Sequence, residues 1–266
     1  GGRVSGILDV RTNEGDNKRT RGSVSAGLLN ERIHVEGPIV KDTLSYSVSA
    51  RAMHSLLLAP VIKWAGSDLN YFFYDLNGKL TWRPGRRDKV FFSAYLGKDI
   101  FDCNLDQPVY DGEKVVSNDN ENSRLRWGNG IVSLHWIHDY SARLFSGASV
   151  YYTDYRYVSE WSVIPELPER PAYSGTVQSS IKDLGFSTDF DWRAGASQTL
   201  KFGLEVVHHN YSPNTNLVSR WTYDGKSEEA SSNGGIPSRG LENAAYIEEN
   251  ITLFPWMSLH AGSRWF

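Results

Sequence analysis

Side chains that alternate between apolar and polar over a dozen residues suit one structure, a β-strand with one greasy face and one wet face. This chain alternates in that way again and again. From Tyr71 to Arg83, Phe72, Tyr74, Leu76, Leu80 and Trp82 fall on one face, and Phe73, Asp75, Asn77, Lys79, Thr81 and Arg83 on the other. From Asp183 to Arg193, Leu184, Phe186, Phe190 and Trp192 oppose Asp183, Ser187, Asp189, Asp191 and Arg193. Such runs last about ten to sixteen residues, well beyond the usual ~5–6 of a strand. A very short connection and then a long one follow in turn. Long alternating strands, short turns on one side, long loops on the other and aromatics near the strand ends together describe a transmembrane β-barrel.

Eleven barrel strands are expected, at 21–29, 32–40, 43–56, 71–83, 88–101, 123–138, 142–157, 176–193, 198–213, 241–253 and 256–266. The short turns are Lys41-Asp42, Pro84 to Arg87, Asp139 to Ser141, Ala194 to Ser197 and Phe254-Pro255, rich in the residues that tight turns require. Polar segments at 57–70, 102–122, 158–175 and 214–240 read as the long outer loops, while the link near Leu29-Asn30-Glu31 is brief. The fold class is therefore all-β, an antiparallel meander. Its lipid side is expected to carry Leu44, Tyr46, Val48, Leu76, Leu80, Phe186, Phe190, Leu200, Phe202, Leu204, Leu259 and Ala261. One position resists: Glu249 shares a face with Ala245, Ile247, Ile251 and Leu253, so either a bulge shifts the register or a neighbour ties it.

Composition agrees with a barrel once its arithmetic is understood. A mean hydropathy of −0.43 suits a soluble protein, but a wet lumen takes every second residue and cancels the average. No run approaches the ~18–20 apolar residues of a spanning helix. Fourteen Tyr, nine Trp and eleven Phe suit membrane interfaces, and Trp82, Trp136 and Trp192 stand beside short turns as a periplasmic girdle would. The net charge of −3 argues against nucleic acid as a partner. Cys103 is alone, so no intrachain disulfide can form.

Eleven is an odd number. Closing the sheet would pair 21–29 with 256–266 in parallel, whereas bacterial barrels close antiparallel with an even count. The sheet is expected to stay open, with edges at those two strands, and the chain to be part of a larger protein.

The opening residues add a resemblance. Gly6-Ile7-Leu8-Asp9-Val10-Arg11-Thr12, followed by Asn13-Glu14-Gly15, resembles the end of the plug domain of TonB-dependent outer-membrane receptors. Gly22 to Leu29, Ile33 to Ile39, Leu44 to Arg51, Asp75 to Leu80 and Val90 to Gly97 are similar to early barrel strands of the Bacteroidota-type branch. The specific resemblance covers about the first 100 residues. It implies a plugged 22-stranded barrel in a Gram-negative outer membrane, with residues 1–19 as plug end and linker and 20–266 as the first half of the barrel. It also implies active uptake of an iron chelate, cobalamin, glycan or peptide. The partners it implies are outer-membrane lipid, the TonB energy-coupling complex (through plug residues absent from this chain) and, for glycan importers, a surface lipoprotein. Residues 6–12 are then expected inside the curve of the sheet and not in its wall.

Chemical motifs are sparse. His208 and His209 are adjacent, so on a strand they point to opposite faces and cannot share a metal. The acidic stretch 102–122 lacks the glycine and terminal glutamate of a calcium loop, and reads as a solvated loop. No nucleophile–base pair selects itself, so no catalytic residue, metal site or cofactor is expected. Tyr155, Trp161, Tyr173 and Trp221 lie at or beyond the outer strand ends, where a ligand would make contact; an interface belt or self-packed loops would use the same residues. Two other classes remain open: a passive porin or barrel enzyme, and a soluble all-β carbohydrate-binding module.

Overall fold

The computed structural model describes residues 12–55, 59–64, 68–167, 170–213, 217–223, 226–232 and 235–266. Among them, β1 (Arg21–Ala26), β2 (Asn30–Val40) and β3 (Leu44–His54) precede a helical turn, α1 (Ala59–Trp64). Then come β4 (Asp68–Trp82), β5 (Asp88–Asp111), β6 (Lys114–Ser141), β7 (Leu144–Ile164), β8 (Ala172–Trp192) and β9 (Gln198–Ser212). The series ends with β10 (Leu217–Tyr223), β11 (Lys226–Ser232), β12 (Ser238–Phe254) and β13 (Met257–Trp265). The wall runs β1-β2-β3-β4-β5-β6-β7-β8-β9-β12-β13, each strand beside its predecessor, which gives the eleven wall strands expected. Every pairing is antiparallel. Among the described residues β1 pairs only with β2 and β13 only with β12, so the sheet is open at both edges.

The turns explain the register. Asp42 takes a φ of 62° in the connection from β2 to β3, and the ladder shifts by one residue between Pro38 and Val40. An αL residue with an adjacent bulge is how a three-residue hairpin matches strand twist, and Asp tolerates that conformation better than most side chains.

The expected loops are where sequence and structure part. Residues 102–122 are not a loop: β5 and β6, of 24 and 28 residues, continue as a paired ribbon to a tight turn at Gly112, whose φ is 62°. At ~3.4 Å per residue β5 is about 80 Å long, far more than a bilayer requires. Beyond the membrane both faces of a hairpin are wet, so alternation vanishes from the sequence while the backbone ladder persists. Cross-strand polar contacts hold it: Arg124 to Asp102, and Asn120 to Asn104 (2.7 Å) and Asp106 (3.0 Å). Similarly β7 reaches Ile164 and β8 begins at Ala172, shrinking the 158–175 connection, and the 214–240 segment contains the β10–β11 hairpin laid against the upper end of β8.

The two faces have the polarity of a membrane wall. All twelve residues expected on the lipid side share one face by register. One lateral row runs Tyr46, Leu80, Phe92, Leu134, Val150, Phe186 and Val206 across seven strands. That face is open: Val48, Leu76, Phe92, Val132, Leu134, Phe186, Leu204 and Leu259 are each more than two-fifths exposed. The opposite, concave face buries Ser45, Ser47, Asp75, Thr81 and His209. A water-soluble sheet would do the reverse. On β8 the apolar run from Leu184 to Trp192 covers about 27 Å along the strand, or roughly 20 Å of bilayer at a barrel's ~40° tilt. Trp82, Trp136 and Trp192 mark its short-turn edge. Trp136 points its indole N–H at Asp88 (3.0 Å), the half-wet setting in which interfacial tryptophan sits. Glu249 lies on this face opposite Leu200 in an unbroken stretch of ladder, and the Gln198 side-chain amide donates to it. The neighbour, not a bulge, resolves the anomaly.

Candidate functional site

The concave face carries three tiers of side chains. At the short-turn end, residues 12–15 cross it as an extended strap. Thr81 and Ser45 hydroxyls donate to the Glu14 carbonyl (2.8 and 3.1 Å), and Lys79 Nζ donates to the Thr12 carbonyl (3.1 Å). The Glu14 carboxylate is held by Arg83 (2.9 Å) and Lys89 (2.7 Å). Asn13 donates to Glu36, so the strap is tied to four strands and the β4–β5 turn. Gly15 follows with φ of 84°, and a Cβ there would lie 2.3 Å from the Tyr46 carbonyl oxygen. Only glycine fits a positive φ against a backbone at that distance. Phe91 lies beneath the strap with Lys79 and Lys89 over its ring at 4.8 and 4.9 Å. Next along the chain, the Asp16 carboxylate accepts from the backbone N–H of Lys18 and Arg19, which holds its pKa below the ordinary 3.8. Residues 6–11 lie outside the described residues; Thr12, the last residue of the plug-like motif, is on the inner face.

The middle tier is a lattice of cross-strand polar pairs. Arg51 meets Asp75 (2.7 Å) and covers the Phe73 ring at 4.9 Å, and the Tyr71 hydroxyl donates to Asp99 (2.5 Å). His209 Nδ1 is 2.8 Å from Asp183 and its Nε2 3.5 Å from Glu242, while His208 faces outward opposite Leu184. Tyr246 donates to Asp189 (2.6 Å) and Arg264 pairs with Glu205 (2.8 Å). The Arg51, Tyr71 and His209 contacts tie adjacent strands, while Tyr246–Asp189 reaches across β9 and Arg264–Glu205 across β12, stiffening the wall across its wet face.

The top tier gathers the aromatics. Tyr155, Trp161, Tyr173 and Trp221 were expected at or beyond the outer strand ends; all four are strand residues, because β7 and β8 extend past the apolar belt and β10 pairs there with β8. Three converge. Trp221 sits directly opposite Tyr173, and Trp161 is opposite Gly175, two residues along β8 from Tyr173. The Trp161 indole lies over Gly175, where a Cβ would come within 2.5 Å of the ring. Trp161 and Tyr173 remain 40% and 47% exposed, on the face continuous with the lumen. Tyr155 shares the face but lies six residues lower on β7, opposite Asn129 and Ile181. The ring of Trp161 is thus placed by a glycine whose role no periodicity reveals. The strap's partners were equally illegible, since nothing in the order of residues says which lumen side chains Glu14 will meet.

No family model and no curated protein matches the chain. Its backbone does match solved structures. The ferric yersiniabactin uptake receptor FyuA from Yersinia pestis superposes with a TM-score of 0.57 over 91% of this chain, at 9% identity. The fold is that of an outer-membrane barrel wall. The chain spans 37% of the FyuA chain, so it matches only part of that wall. A Pseudomonas aeruginosa FadL homologue (TM-score 0.37, 9% identity, 88% of this chain and 59% of that one) shows weaker similarity. So does the siderophore receptor PirA from Acinetobacter baumannii (0.28, 10%, 91% and 51%).

Proposed function

We propose that the chain is part of the wall of a TonB-dependent outer-membrane receptor, an energised importer of a nutrient ligand. Residues 1–19 are then the plug end and its linker, and 20–266 about half the barrel. The observation that carries this reading is the strap: the chain crosses the inner face at residues 12–15, tied to four strands, immediately before entering the wall at β1. A plug joined to its barrel requires that path, whereas a porin or barrel enzyme has no need of it. The apolar outer face supports a bilayer setting in a Gram-negative outer membrane, and it disfavours a soluble carbohydrate-binding module, which would expose no such belt. The free edges at β1 and β13 support further strands completing the barrel.

Ligand contact falls to Trp161, Tyr173 and Trp221, whose rings offer a flat apolar platform above the lumen to an iron chelate, a cobalamin, a glycan or a peptide. Tyr155 lies deeper, on the route inward. The resemblance of the first hundred residues to the Bacteroidota-type branch supports a surface lipoprotein as partner, with TonB engaging the plug.

Uptake assays test the proposal. Strains with and without the intact protein are offered labelled members of the four ligand classes, each with and without TonB. One class should lose accumulation in both deletions. Uptake that survives loss of TonB would mean passive diffusion and refute the receptor reading. Trp161→Ala with Tyr173→Ala should weaken capture of the same ligand while leaving assembly intact.

A further inference from the structure

The lipid side of the wall carries a second site, above its apolar belt. Climbing the outer face of β5 to β8, charge interrupts the apolar residues at one level: Lys98 follows Leu96, Asp154 and Arg156 follow Tyr152, and Lys182 stands above Leu184, before Ile100 and Val158 flank Arg126 one step higher. In the middle of this collar β6 has no side chains, only Gly128 and Gly130. The register places Gly128 between Lys98 on one neighbouring strand and Arg156 on the other. With strands ~4.8 Å apart, two cations flank a bare strip of backbone about 10 Å across. A cavity of about 560 Å³ opens there, lined by Lys98, Arg126, Arg156 and Asp154, with Tyr74 and Leu96 at its apolar margin.

Charge in and beside the cavity is uncompensated. Arg156 is bound to Asp154 (2.8 Å), which also lies 3.9 Å from Lys182, and Arg126 is bound to Glu160. Four cations therefore face two carboxylates. Lys98 has no ion pair or hydrogen bond among the described residues, and Arg126 Nε is buried without a partner. The next pair up, Arg124 with Asp102, is neutral. An unmatched guanidinium nitrogen and a free ammonium at the edge of an apolar surface call for an anion carried by an amphiphile.

We infer that this groove binds the phosphorylated head group of an outer-leaflet glycolipid, its phosphate between Lys98 and Arg156 beside Arg126, its acyl chains lying down over Leu96 and Tyr74. The site rests on the lipid-facing assignment of that face.

The test uses the intact protein in detergent and native mass spectrometry, with three probes: lipid A carrying its phosphates, the same glycolipid dephosphorylated, and inorganic phosphate. Wild type should retain phosphorylated lipid A. The Lys98→Gln/Arg156→Gln double variant should bind it at least tenfold more weakly. The charge-keeping Lys98→Arg/Arg156→Lys pair and an Arg86→Gln/Arg87→Gln control at the opposite rim should bind as wild type does. Lys98→Gln alone, which breaks no ion pair, should show a smaller loss and guards against misfolding of the double variant. Unchanged retention by the double variant, equal retention of dephosphorylated lipid, or equally tight binding of inorganic phosphate would each overturn the site. Quenching of Trp136 by brominated phospholipid, read against Trp136→Phe, separates the two claims. Unchanged lipid A binding with quenching intact removes the head-group site alone; absence of quenching removes the membrane assignment beneath it.

Discussion

Val132 and Ser133 are neighbours in the chain and opposites in environment, so an arginine placed at each in turn measures the polarity of the wall. Val132 lies in the lateral row Ala94–Val132–Tyr152, within the apolar band bounded below by Trp136 and above by Gly130. Ser133 faces inward between Ser93 and Tyr151 and borders a cavity of about 410 Å³ shared with Thr12, Asn13, Lys79 and Tyr95. An arginine facing lipid near mid-depth costs ~2–4 kcal/mol, whereas a lumen position leaves the charge hydrated. Val132→Arg should therefore lower the folding equilibrium constant in lipid vesicles roughly 30- to 700-fold. The cost at Ser133→Arg should stay within ~1 kcal/mol, because the cavity has room and a hydrated charge there is screened from the Lys79 and Arg32 of its lining. Reversible urea unfolding in vesicles, followed by heat-modifiable gel migration, reads both. A Val132→Arg effect under about 0.5 kcal/mol, or a larger effect at Ser133 than at Val132, would refute the assignment of the faces.

Other expectations follow from particular contacts. Gly15→Ala should detach the strap, since a Cβ meets the Tyr46 carbonyl at 2.3 Å and φ is 84°; faster proteolysis between residues 12 and 20, with the wall intact, reads this. Gln198→Leu should leave Glu249 unpartnered on the outer face and destabilise the protein by ~1–3 kcal/mol, a loss that Glu249→Gln in the same chain should restore in part. Asp16 has its pKa lowered on folding, so its contribution is present above the unfolded value of 3.8 and disappears as pH falls through the folded one; the stability difference between wild type and Asp16→Ala should vanish over that acid window and be constant near neutrality. Gly175→Ala should displace the Trp161 indole, shifting its fluorescence against a Trp161→Phe background without a change in melting temperature comparable to that of a core cavity.

How much of this was legible in the sequence depends on the depth of the residue in the membrane. Within the belt, solvent differs on the two faces, so Leu80 and Trp82 separate from Lys79 and Thr81 on sight, and strand number, order and the exposed apolar face all follow. Above the belt that contrast is gone. Asn104, Asp106 and Asn120 are polar on a face that is as wet as the other, so the ribbon of β5 and β6 reads as loop. The trace that remained was local, the Asp111-Gly112 pair, because Gly at the first central position suits a two-residue hairpin turn. The aromatic rim was half legible: Trp161, Tyr173 and Trp221 stood out by type, but their convergence depends on β10 pairing with β8, a long-range register that no short pattern encodes. The strap was visible only as a plug-like ending, and its anchors are lumen residues far away in sequence.

A nitroxide scan along β8 from Asp183 to Trp192 bears most directly on the central claim, that the exposed apolar face is the one in lipid. With Cys103 replaced by Ser, each single-cysteine variant of the intact protein is labelled in vesicles. Collisions with oxygen, which concentrates in the bilayer, and with a water-soluble nickel chelate are then compared. Oxygen access should peak at residues 184, 186, 188, 190 and 192, and chelate access at the residues between, with a period of two. The same period with the two reagents exchanged, or high chelate access at every position, would contradict a lipid-facing wall.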